Sequence, residues 1–287
     1  GLDTEGAQIR TYLLNKDFIE LKIGENLRIY QDEKRNQNQK TLYLYPKGVT
    51  QNLKEGDIVR LDFNGALIVV NKKEGDFLDC ECICGGTIGN NKGVDILNNS
   101  IYLEDFTEKD LECFKKLDEL NIKDVFISFC KSKKAVLFLK EQYPSIRVIS
   151  KIESKSSINN LYGICEASDA LLIDRGDLTR EINILDIPFA QRGIIKVANS
   201  FKKPCYVATN VFESLINGNL PTRAELNDVV GTLEMGASGI VLAAETAIGN
   251  KPLLSVEIVK ELVHRFNLFK DELLFVDLER NEIGDPE

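Results

Sequence analysis

No apolar run in the 287 residues approaches the roughly 20 residues that a membrane-spanning helix needs, which excludes a helical membrane protein. No charged, apolar and small-residue series of the secretory kind opens the chain, so the expectation is a cytoplasmic protein. Basic clusters are also missing. The formal net charge is -9 and the lysines and arginines are scattered among acids, so nucleic acid is not an expected partner. An anionic small molecule would need a locally basic or metal-loaded site. Histidine is reduced to one residue, His264, which falls in the helical pattern of Val259, Leu262 and Val263 and reads as structural. Internal repeats and low-complexity tracts are absent. The seven cysteines form an odd set without an export signal and read as reduced thiols. Cys80, Cys82 and Cys84 alternate, which puts them on one face of a strand. A soft metal would need a further Cys or His cluster to complete four ligands, and the sequence has none.

What the chain does have is enough length and apolar content, 43% of residues, for one large core and a smaller one. From about Asp124 onward, short apolar runs alternate with amphipathic stretches, the pattern of a parallel sheet wrapped by helices. The expected strands are Val125 to Phe129, Val148 to Ile152, Ala170 to Ile173, Cys205 to Ala208 and Gly239 to Leu242. A helix is expected after Thr107, with Asp110 closing a capping box, and another with Pro188 in its first turn. Residues from about Tyr12 to Asn98 differ. Alternating segments such as Leu42 to Tyr45 and Ile58 to Leu61, separated by Gly, Asn, Asp and Lys turns, predict a small all-β unit inserted into the α/β chain. The segment from Gly1 to Arg10 reads as a strand and loop of the α/β unit. The division is thus residues 1–11 and 99–270 for a (β/α)-barrel of TIM type, 12–98 for an inserted β-barrel lid, and 271–287 for an acidic tail. An insertion after a barrel strand, at the end where sites form, is placed to act as a lid.

Charged residues gather after two of the strands. Lys151 and Glu153 are two positions apart at the end of Val148-Ile149-Ser150-Lys151-Ile152-Glu153, so they share one face at the carboxyl end of a strand. Asp174-Arg175-Gly176-Asp177 follows the next strand, and its glycine lets backbone approach a ligand. Glu153 and Asp177 are a carboxylate pair suited to a hard divalent cation. Each segment alone reads equally as solvated or paired surface charge.

Taken in order, these segments resemble the pyruvate kinase family. Leu2-Asp3-Thr4-Glu5-Gly6-Ala7-Gln8-Ile9-Arg10-Thr11 is similar to its LDTKGPEIRT motif, and Ser150-Lys151-Ile152-Glu153 matches SKIE. Arg175-Gly176-Asp177-Leu178 matches the RGDL of ARGDLG, and Ala208 to Ser214 is similar to ATQMLES. Pro221 to Glu225 reproduces PTRAE, and Gly236 to Gly249 resembles the run ending in SGETAKG. The resemblance spans residues 1 to 265.

It implies transfer of a phosphoryl group from phosphoenolpyruvate to ADP, giving pyruvate and ATP. Lys151 would neutralise charge on the phosphoryl group and the enolate oxygen, and Glu153 and Asp177 would hold Mg2+ or Mn2+. Arg10 would contact the substrate phosphate, and Thr209 would sit in the proton path to the enolate carbon. Asp3 and Thr4 would be ligands of a monovalent cation such as K+. Gly176, Asn210, Glu245 and Lys92, the last matching a lysine of KKGVN, would be cofactor-binding residues. Lys92 reads equally as a solvated hairpin lysine, and Glu245 as a helix-start acid. The family's first two barrel strands precede LDTKGP, and an R-x-N-F-S-H-G segment lies on the second. A barrel without them exposes edges, so the expectation is a homo-oligomer, or a second chain completing the barrel.

The chain departs from the family at Glu5, Ala7, Asp174, Thr179, Asn210, Ala243, Ala244 and Ile248. Asp174, standing where the family has alanine, adds a carboxylate that repels an anionic substrate unless Arg175 or the metal compensates. Two other readings stay open: a metal-dependent lyase acting on pyruvate or its enolate, and a degenerate barrel that binds without turnover.

Overall fold

The computed structural model describes residues 1–13, 17–32, 40–62, 65–99 and 101–271. Beyond its first residue, the expected acidic tail lies outside them. The strands in chain order are β1 (Leu2–Asp3), β2 (Ile9–Tyr12), β3 (Phe18–Leu21), β4 (Asn26–Tyr30), β5 (Thr41–Tyr45), β6 (Ile58–Leu61), β7 (Ala66–Glu74) and β8 (Phe77–Cys84). They continue with β9 (Gly86–Gly89), β10 (Gly93–Ile96), β11 (Asp124–Ile127), β12 (Arg147–Ile152), β13 (Ala170–Asp174), β14 (Cys205–Ala208) and β15 (Gly239–Val241). Among the described residues, no helix is long and apolar enough to cross a membrane.

Strands β1-β11-β12-β13-β14-β15 form one sheet, and every neighbouring pair is parallel. Parallel neighbours need crossovers. The helices Lys133–Gln142, Leu161–Ala167, Ile187–Ser200 and Arg223–Glu234 lie in those crossovers. The period of two along each strand sorts the side chains. Val125, Ile127, Val148, Ile152, Leu171, Ile173, Cys205 and Val207 pack with the helices in the main core. Ile149, Ala170, Leu172 and Ala208 form a separate cluster with Phe126, Tyr206 and Val241. Lys151 and Asp174 continue the parity of that second face, so they emerge at the carboxyl end of the sheet away from the helix layer. The first strand ends at Ile127 rather than Phe129, because Ser128 and Phe129 already turn and Phe129 adopts φ +51°.

The other strands behave differently. Strands β10-β2-β5-β4-β8-β7-β6 form a closed barrel, completed by antiparallel pairing of β10 with β6. Its core, including Leu27, Ile29, Leu42, Leu61, Ile68 and Leu78, is its own. The boundary expected after Thr11 is corrected here. Arg10 pairs with Tyr45 of β5 and with Gly93 of β10, so the barrel begins at Ile9. The sequence Ile9 to Tyr12 suits a strand in either unit, and only its hydrogen-bonding partners assign it. Cys80 and Cys82 are buried in this barrel and Cys84 is exposed. Burial pushes the Cys80 thiol up to about 12. His264 is exposed on the helix Pro252–Asp271.

Helix starts follow the sequence signals. Thr107 and Asp110 form the expected capping box, and Pro188 lies in the first turn of Ile187–Ser200. Asp110 also accepts from the Glu5 and Gly6 backbone N–H groups, which pins the loop between β1 and β2. A second capping box joins Thr222 and Glu225. The Glu225 carboxylate accepts from Ser214 N–H at 2.9 Å, Ser214 Oγ at 2.6 Å and Thr222 N–H at 2.7 Å. Burial works against its charge, but the Ser214 and Thr222 hydrogen bonds prevail and its pKa is lowered. A carboxylate lowered on folding stabilises above its unfolded pKa and loses that contribution as pH falls through the folded one. Glu225→Ala is therefore expected to cost about 1–3 kcal/mol at neutral pH, with the gap to wild type narrowing in acid. Urea unfolding at neutral and acidic pH measures both; an equal loss at every pH would contradict the carboxylate as cause.

Candidate active site

The carboxyl ends of β12 and β13 bring together what the sequence separates. Lys151 Nζ lies 2.9 Å from Glu153 Oε1, 3.4 Å from Asp3 Oδ2 and 4.0 Å from Asp174 Oδ2. It also donates to Ser128 Oγ at 3.2 Å. Burial opposes the ammonium charge, but attraction to Glu153, Asp3 and Asp174 outweighs it and holds Lys151 protonated. Glu153 is wholly buried, and burial, the largest influence, pushes its carboxyl up against the pull of Lys151. Its Oε2 accepts the Phe129 N–H at 2.6 Å. Its Oε1 accepts no hydrogen bond, since the contact with Lys151 lacks hydrogen-bond alignment.

Glu153, Asp174 and Asp177 each offer one oxygen, and the three oxygens lie within 4.8 Å of one another. Three hard oxygen donors at that spacing, from one buried and two half-buried side chains, fit a divalent cation. Asp174 Oδ1 caps the helix Arg175–Glu181 by accepting from Asp177 N–H. It also accepts from the Thr209 hydroxyl at 3.1 Å. Thr209 Oγ1 in turn accepts the Gly176 N–H at 2.8 Å, so Gly176 and Thr209 join the cluster.

Other expected site residues are arranged differently. Asp3 and Thr4 both meet Ser128, Asp3 accepting from its hydroxyl and Thr4 Oγ1 from its N–H, each at 2.9 Å. Arg10 belongs to the closed barrel, where its guanidinium donates to the Asn91 carbonyl. Lys92 is exposed on the same barrel, its N–H bonded to Thr11. Asn210 is exposed, with its carbonyl held by Arg175. Glu245 is buried and both of its oxygens accept backbone N–H groups, from Phe212 and Ala243. That ties the segment after β14 to the one after β15. Arg175 does not offset Asp174. It donates to the Thr209 and Asn210 carbonyls and pairs with Asp228. In doing so it braces two consecutive non-glycine residues with φ +65° and +52°.

Two residues escape a reading by sequence. Ser128 bridges Lys151 and Asp3, yet a serine after a strand carries no signal of its own. Arg180 donates to Asp177 at 3.1 Å and reaches 3.8 Å from Asp95 of the closed barrel. It lies against Gly93, where an added Cβ would fall 1.6 Å from its guanidinium.

A family model described as "Pyruvate kinase, barrel domain" matches residues 1–256. The chain is similar to the pyruvate kinase of Thermotoga maritima, 33% identical over 266 residues, covering 91% of this chain and 57% of that protein. It is similar to the chloroplastic pyruvate kinase isozyme G of Nicotiana tabacum at 33% identity, covering 90% of this chain and 46% of the relative. The pyruvate kinase of Chlamydia pneumoniae is 30% identical over 283 residues, 96% of this chain and 58% of the relative. The chain thus spans about half the length of these curated relatives. With the family model covering nearly all of the described residues, and these relatives aligned across the Lys151, Glu153 and Asp177 segments, the chain belongs to the pyruvate kinase family.

Proposed function

We propose that this chain carries metal-assisted phosphoryl transfer from phosphoenolpyruvate to ADP, yielding pyruvate and ATP. The observation that carries the reading is the Lys151 ammonium beside three convergent carboxylates at the carboxyl end of a parallel sheet. Phosphoryl transfer depends mainly on positioning and on stabilising charge at oxygens. Lys151 is the cation of the chain itself that meets the transferred group and the enolate oxygen. Glu153 and Asp177 would hold Mg2+ or Mn2+, which when bound neutralises charge on substrate oxygens. Thr209 Oγ1, fixed by Gly176 and Asp174, is the hydroxyl that passes a proton toward the enolate carbon. Asp3 and Thr4, next to Ser128, are the candidates for a monovalent cation such as K+.

We further read the parallel sheet as part of a TIM-type barrel and the closed barrel as its lid. In that reading, closure brings Arg10 and Lys92 toward the substrate and nucleotide phosphates. Pairing of β1 or β15 with a second copy or another chain would cover the sheet edges. The cytoplasm is the compartment that suits this chemistry.

The test is pyruvate release from phosphoenolpyruvate by the purified chain, coupled to a pyruvate-consuming reporter. Pyruvate is expected only when ADP and Mg2+ or Mn2+ are both present. No pyruvate with all components and K+ would overturn the reading, and pyruvate release without ADP would replace phosphoryl transfer by hydrolysis.

A further inference from the structure

Resting on that reading, we propose that Asp174 is a third carboxylate ligand of the divalent cation, so that this site loads metal before any phosphorylated substrate arrives. The sequence treats Asp174 as a liability, since it stands where related chains have alanine and adds negative charge near an anion. The geometry gives that charge a use. Asp174 Oδ1 is engaged by the Asp177 N–H and the Thr209 hydroxyl. Its Oδ2 makes only a 4.0 Å ion contact, with Lys151, and the residue offers an oxygen within 4.8 Å of those of Glu153 and Asp177. Glu153, wholly buried, offers an oxygen to the same space, and its Oε1 has no aligned hydrogen bond although Lys151 Nζ lies 2.9 Å away.

Charge counting agrees. Three carboxylates meet one ammonium, and the Arg180 guanidinium is already engaged by Asp177. The group retains a deficit of positive charge that a divalent cation offsets. Two carboxylates leave most of the coordination of Mg2+ to water and substrate oxygens, whereas a third adds a charged donor that strengthens binding before substrate arrives. The metal then also removes the repulsion that Asp174 would exert on an incoming phosphate, which orders binding as metal first and substrate second.

The experiment is Mn2+ binding to the purified chain without phosphoenolpyruvate or nucleotide, followed by loss of the free-ion electron paramagnetic resonance signal. Asp174→Asn is the informative variant, because asparagine still caps the helix and still accepts from Thr209 while losing the charge. Its melting temperature in EDTA verifies folding, and Asp174→Ser is a second variant that keeps a cap. Wild type is expected to bind Mn2+ unaided, with both variants weakened about tenfold or more and Glu153→Gln weakened at least as much. Unaltered Mn2+ binding in folded Asp174→Asn would overturn the proposal and leave the Glu153 and Asp177 reading intact. So would wild-type binding that appears only after phosphoenolpyruvate is added. If Glu153→Gln and Asp177→Asn also bind Mn2+ like wild type, both the proposal and the metal reading beneath it fall.

Discussion

Lys151→Met is expected to reduce pyruvate formation by about 100- to 1000-fold or more, the range seen when one preorganised electrostatic donor is removed from a reacting oxygen. Methionine preserves the length of the stem, so packing along β12 survives and the loss reports on charge. The same change leaves Glu153, Asp3 and Asp174 without the cation that faces them at 2.9 to 4.0 Å. Breaking a buried ion pair on one side costs about 3–5 kcal/mol. The cost here falls toward the low end, because Asp3 is largely exposed. Added Mg2+ should return part of that stability, since a divalent cation replaces the missing positive charge. Coupled pyruvate release and melting curves with and without Mg2+ measure both effects. A Lys151→Met chain that kept more than about a tenth of wild-type activity would remove Lys151 from the chemistry.

The second large effect separates two jobs of Glu153. Its Oε2 holds the Phe129 N–H at 2.6 Å, and that residue turns at φ +51°, so the carboxylate shapes the loop that also carries Ser128. Glu153→Ala is expected to orphan a buried donor, costing about 1–3 kcal/mol, and to abolish stabilisation by Mg2+. Glu153→Gln retains an acceptor for Phe129 but not the charge. It should melt close to wild type in EDTA, show little or no rise in melting temperature with Mg2+, and form pyruvate at least 100-fold more slowly, on the order of losing one key electrostatic contact. If Glu153→Gln were stabilised by Mg2+ as wild type is, the ion would have to sit elsewhere.

The strands of the parallel sheet were legible because each is a short apolar run bounded by polar turns, and the capping boxes were legible because their residue types occur at fixed spacing. Lys151 and Glu153 could be placed on one face by alternation alone. The pairing of Glu153 with Asp177 could be suggested from charged residues following successive strands, but family resemblance raised it above ordinary surface charge, since nothing local to residue 153 specifies which strand will lie beside it. Residues that act through backbone partners were the least legible. Glu245 grips two N–H groups and Arg175 grips two carbonyls, and the backbone looks alike at every position of a sequence. Asp174 was seen as a departure, but its sign alone could not tell repulsion of a substrate from attraction of an ion. The start of the closed barrel was misplaced for a related reason: Ile9 to Tyr12 has the alternation of a strand without indicating which sheet will accept it.

Val94 and Ile9 are opposite one another in register, so the chain goes into the closed barrel and comes out of it on adjacent strands. Two tethers side by side would act as a door hinge, leaving rotation about the line through them less restrained than displacement sideways. The same arrangement makes it a detachable module. A short turn spanning the gap between Gln8 and Leu97 would rejoin the flanking chain without altering any strand order in the parallel sheet, so this architecture could acquire or shed the module as one cassette.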